Sequence, residues 1–236
     1  HQSSKDHTGH GAIHVPSDME EWPLEWKTVQ YKSYPRVPKI PLGDIKPRHT
    51  LGDMLEQRAS QRSFDKTPLD THTIGTLLKY SSGILKNEHT GYIHRAQASG
   101  GGRYPIEVYP LILSGTEEVP EGLYHYNVRD HALDVLWQRS FADADILKLF
   151  NYPWMQQASC VFIMTACFDR TQMKYGERGY RYILLEAGHM AQNMYLVAAD
   201  QGVKCCSLGG TYDEQVEKMI DIDGITESVV YAVAFG

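Results

Sequence analysis

No stretch of this sequence holds the roughly 20 consecutive apolar residues that a membrane-spanning helix needs. The first residues are polar and histidine-rich where a signal peptide would place a charged block and an apolar run. A soluble, cytoplasmic protein with no membrane partner is the resulting expectation. Positive charge is scarce as well: 23 Lys and Arg stand against 29 Asp and Glu, for a formal net charge of −6. That balance gives no global attraction to phosphate backbones, so no nucleic-acid partner is expected. Cysteine is limited to four residues, Cys160, Cys167, Cys205 and Cys206. Their spacing fits neither a secreted disulfide framework nor paired CxxC zinc ligands, and reduced thiols are expected. The adjacent Cys205 and Cys206 invite a redox reading, but a vicinal disulfide is strained, and thiols pointing into the fold are the simpler expectation. Internal repeats, low-complexity tracts and a GxxxxGK[ST] phosphate loop are all missing.

What is present divides into an N-terminal strap, residues 1–48, and one domain, residues 49–236. The strap ends in YPRVPKIPLGDIKPRH, whose closely spaced prolines forbid a continuous helix and favour extended chain. Its histidines His1, His7, His10 and His14 belong to that polar strap. Leu51, Met54 and Leu55 follow helical spacing, as do Ile74, Leu77 and Leu78, so two helices flank RASQRSFDKTPLD. EVYPLILSG, GLYHYNV, HALDVLWQ and SCVFIMTACF read as strands, with a hairpin turning at Arg129 and Asp130. From about Arg178 to Gln201 runs the longest helical pattern, apolar over most of its circumference. Such a helix must be buried on two sides, and a subunit interface is one way to supply the second. A short strand after Gly202, a helix around Tyr212 to Ile220 and the strand SVVYAVAFG complete an α+β pattern.

Several segments carry groups suited to chemistry. Arg58-Ala59-Ser60-Gln61-Arg62 places two guanidiniums and a hydroxyl at a helix end, a set able to grip a phosphomonoester or simply to face solvent. Ser99-Gly100-Gly101-Gly102-Arg103-Tyr104-Pro105 lets backbone approach a flat ligand closely, or forms a flexible loop. It is not a dinucleotide fingerprint, because proline and a strand follow where a helix should open. Glu186, His189, Gln192 and Asn193 follow helical spacing and need polar partners, with Glu186 and His189 expected in a structural network. Glu186 and His189 lack a convincing third ligand, so no metal is expected. Tyr104, Tyr124 and Tyr126 suit either a pocket or the core.

In order along the chain, RASQR, RAQASGGGRYPIEVY and KYGERGYRYILLEAGHMAQN resemble the azoline-oxidising flavin dehydrogenases of the nitroreductase superfamily. The resemblance covers residues 50–236, and the segments YKSYP and PKIPL resemble the extension that precedes this domain in stand-alone members. It implies an α+β fold with a mixed, mainly antiparallel sheet around a long central helix, in an intertwined homodimer with FMN at the interface. By position, Arg58, Ser60 and Arg62 match the first FMN motif and Ser99 and Gly101 the second. Gly209 and Gly210 fall where backbone amides approach the flavin, although many relatives have Glu at the first of these, and a tight turn is the plainer reading. Ala98 replaces the proline usual before the motif serine. Lys174 and Tyr175 match the catalytic Lys-Tyr pair; the plainer alternative is an exposed lysine ahead of a helix. A lysine acting as base must be neutral, and desolvation beside cations such as Arg178 or Arg181 would favour that form.

The resemblance thus implies an FMN-dependent oxidoreductase that dehydrogenates an azoline-like ring in a small molecule or modified peptide, with flavin accepting hydride and oxygen as final acceptor. The alternatives are an NAD(P)H-dependent nitro- or quinone reductase and a non-catalytic flavin-binding partner module.

Overall fold

The computed structural model describes residues 18–86, 91 and 93–236; the strap histidines His1, His7, His10 and His14 lie outside them. Within the strap, Pro23 leads into a single helical turn, α1 (Leu24–Lys27), and the chain then extends into β1 (Lys39–Pro41). α2 (Leu51–Gln57) begins at a reciprocal cap, with the Asp53 N–H donating to Thr50 Oγ1 at 3.2 Å and the Thr50 N–H to the Asp53 carboxylate at 3.1 Å. α3 (Thr71–Ser82) is capped by Asp70, which accepts the Thr73 N–H at 2.7 Å. A small hairpin, β2 (Ile84–Lys86) with β3 (Ile93–Arg95), precedes the glycine-rich loop.

The main sheet is built from β1, β4 (Ile106–Ile112), β5 (Gly122–Asn127), β6 (Ala132–Gln138), β7 (Cys160–Cys167), β8 (Cys205–Leu208) and β9 (Glu227–Phe235). Their order is β1-β6-β5-β4-β7-β9-β8, with every named neighbour antiparallel; Ser60 adds a parallel bridge to Cys205 at the β8 edge. The hairpin expected across Arg129 and Asp130 joins β5 to β6. Four helices complete the fold: α4 (Asp143–Ile146), α5 (Asp169–Tyr175), the 23-residue α6 (Gly179–Gln201) and α7 (Asp213–Ile220).

Alternation along the strands serves two cores. Val108, Phe162 and Met164 face one way and meet Ile183, Met190 and Met194 of α6 together with Leu77 and Leu78 of α3. Tyr109, Val161 and Ile163 face the other way, towards Phe150, Val216 and Ile220. Period-2 side chains buried on both faces make the middle strands almost continuously apolar. Tyr124 and Tyr126 are core residues. Gly75 lets the strap lie directly on α3, since a Cβ there would stand 1.8 Å from the Gly43 carbonyl oxygen.

Polar residues interrupt the second face at one place. Glu107 accepts from Arg170 and from His125 Nε2 at 2.9 Å, while the far nitrogen of His125 faces Asp134 at 3.4 Å. Burial alone would raise the Glu107 carboxyl; the His125 hydrogen bond and the Arg170 charge outweigh it and hold it down to about 2. Next to this group, Glu227 accepts from Lys32, from Tyr109 at 3.0 Å and from Thr165 at 2.6 Å. The strap is thereby tied through Lys32 to the middle of the sheet.

All four cysteines are free thiols. Cys205 and Cys206 are buried in different cores, as adjacent strand residues must be. No helix among the described residues is long and apolar enough to cross a membrane.

Candidate active site

The candidate residues fall into two groups, distributed along α6. The first is gathered by Tyr195, whose hydroxyl lies 2.9 Å from Ser60 Oγ and accepts the Ser207 N–H at 2.8 Å. Arg58 caps the end of α2 and lies over the Tyr195 ring, 5.7 Å from its centroid. The Gln61 N–H donates to the Cys205 carbonyl at 2.9 Å, so RASQR runs along the β8 edge as an added strand would. Arg58, Ser60 and Arg62 are all exposed. β8 then leads to Gly209, where a Cβ would meet nothing within 4 Å, and to Gly210, where it would stand 2.8 Å from the Tyr152 hydroxyl.

The second group is closed. Lys174, in the last turn of α5, is 0% exposed, so the alternative of an exposed lysine ahead of a helix does not hold. Its Nζ has no hydrogen-bond partner. Burial, and secondly the nearby Arg103 guanidinium, push the amine below the ordinary lysine range. Arg103 therefore takes the part that the sequence suggested for Arg178 or Arg181. Gly101 closes in from the loop with φ of +66°, and a Cβ there would lie 2.3 Å from the Tyr175 hydroxyl and 3.2 Å from Lys174 Nζ. Only a residue without a side chain admits this approach. Tyr175 packs edge-on against Tyr182 of α6, ring centroids 5.0 Å apart.

Ser99 orders the same loop by accepting the Tyr104 N–H at 2.8 Å. Behind it, Glu186 accepts from Gln97 Nε2 at 3.2 Å. Burial pushes the Glu186 carboxyl up to about 7, against hydrogen bonds from Ser99 and Gln97. His189 takes no part in this pairing; it is exposed, and its ring nitrogen lies 3.5 Å from the Ala98 carbonyl.

Two residues with no individual role in the sequence reading organise these groups. Arg103 is itself buried: Nε donates to the Arg170 carbonyl at 2.7 Å, and one terminal nitrogen donates to Trp26 and Thr28 carbonyls at 2.7 and 3.0 Å. It thus fastens α5 to the strap. Tyr195 is the hub of the first group. Arg103 lay inside the quoted glycine motif, whereas Tyr195, within the long helical pattern, belonged to no motif.

The profile of the Nitroreductase family matches residues 55–236, a span that takes in both groups. The chain belongs to the nitroreductase family. As a nitroreductase-superfamily protein it is an oxidoreductase related to flavin-dependent enzymes. It is 30% identical over 184 residues to the nitroreductase-like protein MJ1384 of Methanocaldococcus jannaschii, covering 78% of this chain and 90% of that one. It is 32% identical over 182 residues to the microcin B17-processing protein McbC of Escherichia coli, covering 73% of this chain and 64% of McbC. A nitroreductase-like structure from Anabaena variabilis superposes with a TM-score of 0.70 at 26% identity, over 99% of this chain but 45% of its own. The chain thus spans less than two thirds of McbC and of the Anabaena chain. The fold is shared further with a nitroreductase-like structure from Desulfovibrio desulfuricans in complex with FMN, at a TM-score of 0.54, 15% identity, and 80% and 86% coverage.

Proposed function

We propose that this nitroreductase-family protein binds FMN and dehydrogenates an azoline ring, with Lys174 as the base. The observation that carries the reading is the Lys174 amine, fully buried and without a hydrogen-bond partner, beside Tyr175 and the closely approaching backbone of Gly101. An ammonium ion in that position exchanges its hydration for an indole face alone, and burial brings the neutral amine that a base requires closer. The likeness to a microcin-processing protein supports a peptide substrate.

The donor set suits FMN. Arg58 and Arg62 enter no ion pair among the described residues, and with the Ser60 hydroxyl they form a charged fork for a phosphomonoester. Gly209, with open space where a side chain would stand, leaves room for a flat ring, and Ser99 and Gly101 supply the second set of contacts. When bound, FMN supplies the hydride acceptor. Lys174 takes the proton as the azoline loses a hydride and a proton and gains one double bond, becoming aromatic. Tyr175 walls the amine, its ring centroid 5.4 Å from Nζ. Oxygen serves as the final acceptor.

The two groups lie far apart on one chain. Tyr182 and Tyr195 mark them, roughly 20 Å apart at 1.5 Å per residue along α6. Leu184 and Leu185 are 42% and 54% exposed on that helix, and Leu51 and Leu55 are exposed on α2. A homodimer burying these leucines accounts for both features, each FMN taking its first motif from one protomer and its second from the partner.

The test is to denature purified protein and identify the released cofactor, then supply an azoline-containing peptide aerobically and follow loss of two hydrogens by mass spectrometry. FMN near one per chain with conversion to the azole supports the proposal. Failure to bind added FMN sinks it; FMN bleached by NAD(P)H with no azole formed points to a nitro- or quinone reductase.

A further inference from the structure

The face of Lys174 that a reacting ring would need is already covered. Nζ lies 3.1 Å from the centroid of the Trp22 indole, with Tyr175 at 5.4 Å and Trp26 at 5.8 Å. Trp22 comes from the strap, remote in sequence from every motif. Beside the indole opens a cavity of about 480 Å³, walled by Trp22, Trp26 and Val29 on the strap side and by Gly101, Gly102 and Tyr104 on the loop side. This volume lies within the range of small-ligand sites, and its walls combine apolar side chains with the charged Glu20, Lys27 and Arg103.

The strap segment is held asymmetrically. Arg103, itself on the cavity wall, grips it by the Trp26 and Thr28 carbonyls. Trp22 lies on the far side of Pro23 from that grip, packed edge-on against Trp26 with ring centroids 6.4 Å apart. A single ring on an anchored peptide segment, laid flat over the amine, is the arrangement that a ring-bearing peptide substrate would adopt.

We propose that the strap segment around Trp22 and Trp26 occupies the substrate groove of this protein as an internal stand-in, with the Trp22 indole holding the place of a flat heterocycle carried by a peptide. The inference rests on the reading of Lys174 as base and of a ring-bearing peptide as substrate, and adds how that peptide enters: by displacing Trp22.

The test reads access to Lys174 and needs no turnover. The FMN-loaded protein is treated with formaldehyde and cyanoborohydride, and methylation of Lys174 is mapped by mass spectrometry against the exposed Lys148 as reference. In the wild type Lys174 resists modification. In Trp22→Ala its relative rate rises at least tenfold, while Trp22→Phe keeps the protection. A thiazole-containing peptide restores protection to Trp22→Ala, and free thiazole at the same concentration does not. In the wild type the same peptide changes tryptophan emission, and it fails to do so in Trp22→Phe, a check that does not depend on the stability of the alanine variant.

Equal labelling of wild type and Trp22→Ala, with both retaining FMN, overturns the proposal, as does a peptide that neither protects Lys174 nor changes emission. Equal protection by free thiazole overturns the peptide part. Should the groove behave as expected while Lys174→Ala still oxidises azolines, the fault lies with the assignment of the base and not with the groove.

Discussion

The two groups of candidate residues solve opposite physical problems. Around Tyr195, Arg58, Ser60 and Arg62 stand exposed on an edge of the sheet, with full charge and full hydration. Around Gly101, Lys174 and Glu186 are buried, and both are pushed towards their neutral forms. Charged donors left in water hold a charged ligand once something covers them, which suits retention of a phosphate. A dry amine and a dry carboxyl have unsettled protonation, which suits moving a proton. On the proposed reading one region serves to retain the cofactor's phosphate and the other carries the proton chemistry beside the second set of cofactor contacts, and substitutions should separate the two.

The largest expected effect is on chemistry. Lys174→Ala should lower azoline turnover by about 10²–10⁴, the usual worth of a positioned base, while FMN stays bound; rate and cofactor content measured on one preparation check this. If FMN is lost along with turnover, the division of labour fails. Arg58→Ala should do the reverse, weakening FMN binding by roughly 30- to 100-fold for one charge-assisted hydrogen bond of about 2–3 kcal/mol. Protein saturated with FMN should then turn over near the wild-type rate. Titration of the apoprotein followed by flavin fluorescence measures the first of these.

Glu186 sharpens the contrast through pH. Its folded carboxyl, pushed up to about 7 from an ordinary value of 4.5, binds a proton that the unfolded chain has released. The fold therefore gains stability from the protonated form below about 4.5 and loses it as pH rises towards 7. Glu186→Gln should leave stability near pH 4.5 almost unchanged and raise it at pH 8 by on the order of 2 kcal/mol, read from denaturant midpoints at the two pH values. The smallest effect is expected at Gly101, where the Gly101→Ala methyl meets the far end of the Tyr175 side chain. A displaced hydroxyl and a strained positive φ should cost about tenfold in turnover, with a smaller loss of FMN affinity because Gly101 also supplies cofactor contacts.

Much of the fold was legible because it rests on local pattern. The strands β4 to β7 and β9, the helices α2, α3, α6 and α7 and the Arg129–Asp130 hairpin all follow from periodicity and turn residues. α6 was readable as a helix needing cover on two sides, and its exposed Leu184 and Leu185 show where this chain alone does not supply it. The short α5 was not legible, since Asp169–Tyr175 carries no apolar repeat at helical spacing, and with it went the burial of Lys174. The charged residues Glu107, His125 and Asp134 did carry a signal, being polar interruptions of apolar strands. Pairing Glu107 with Arg170 nevertheless required contacts distant in sequence. The grip of Arg103 on the strap and the position of Trp22 over Lys174 depend on tertiary geometry alone, which no motif spacing encodes.

The most direct test mixes FMN-loaded protein with an azoline-containing peptide in the absence of oxygen and of NAD(P)H, while flavin absorbance is followed. Bleaching in step with azole formation in the wild type, and its loss in Lys174→Ala with FMN still bound, is the predicted result. Flavin that stays oxidised with the peptide and bleaches only when NAD(P)H is added would contradict the account.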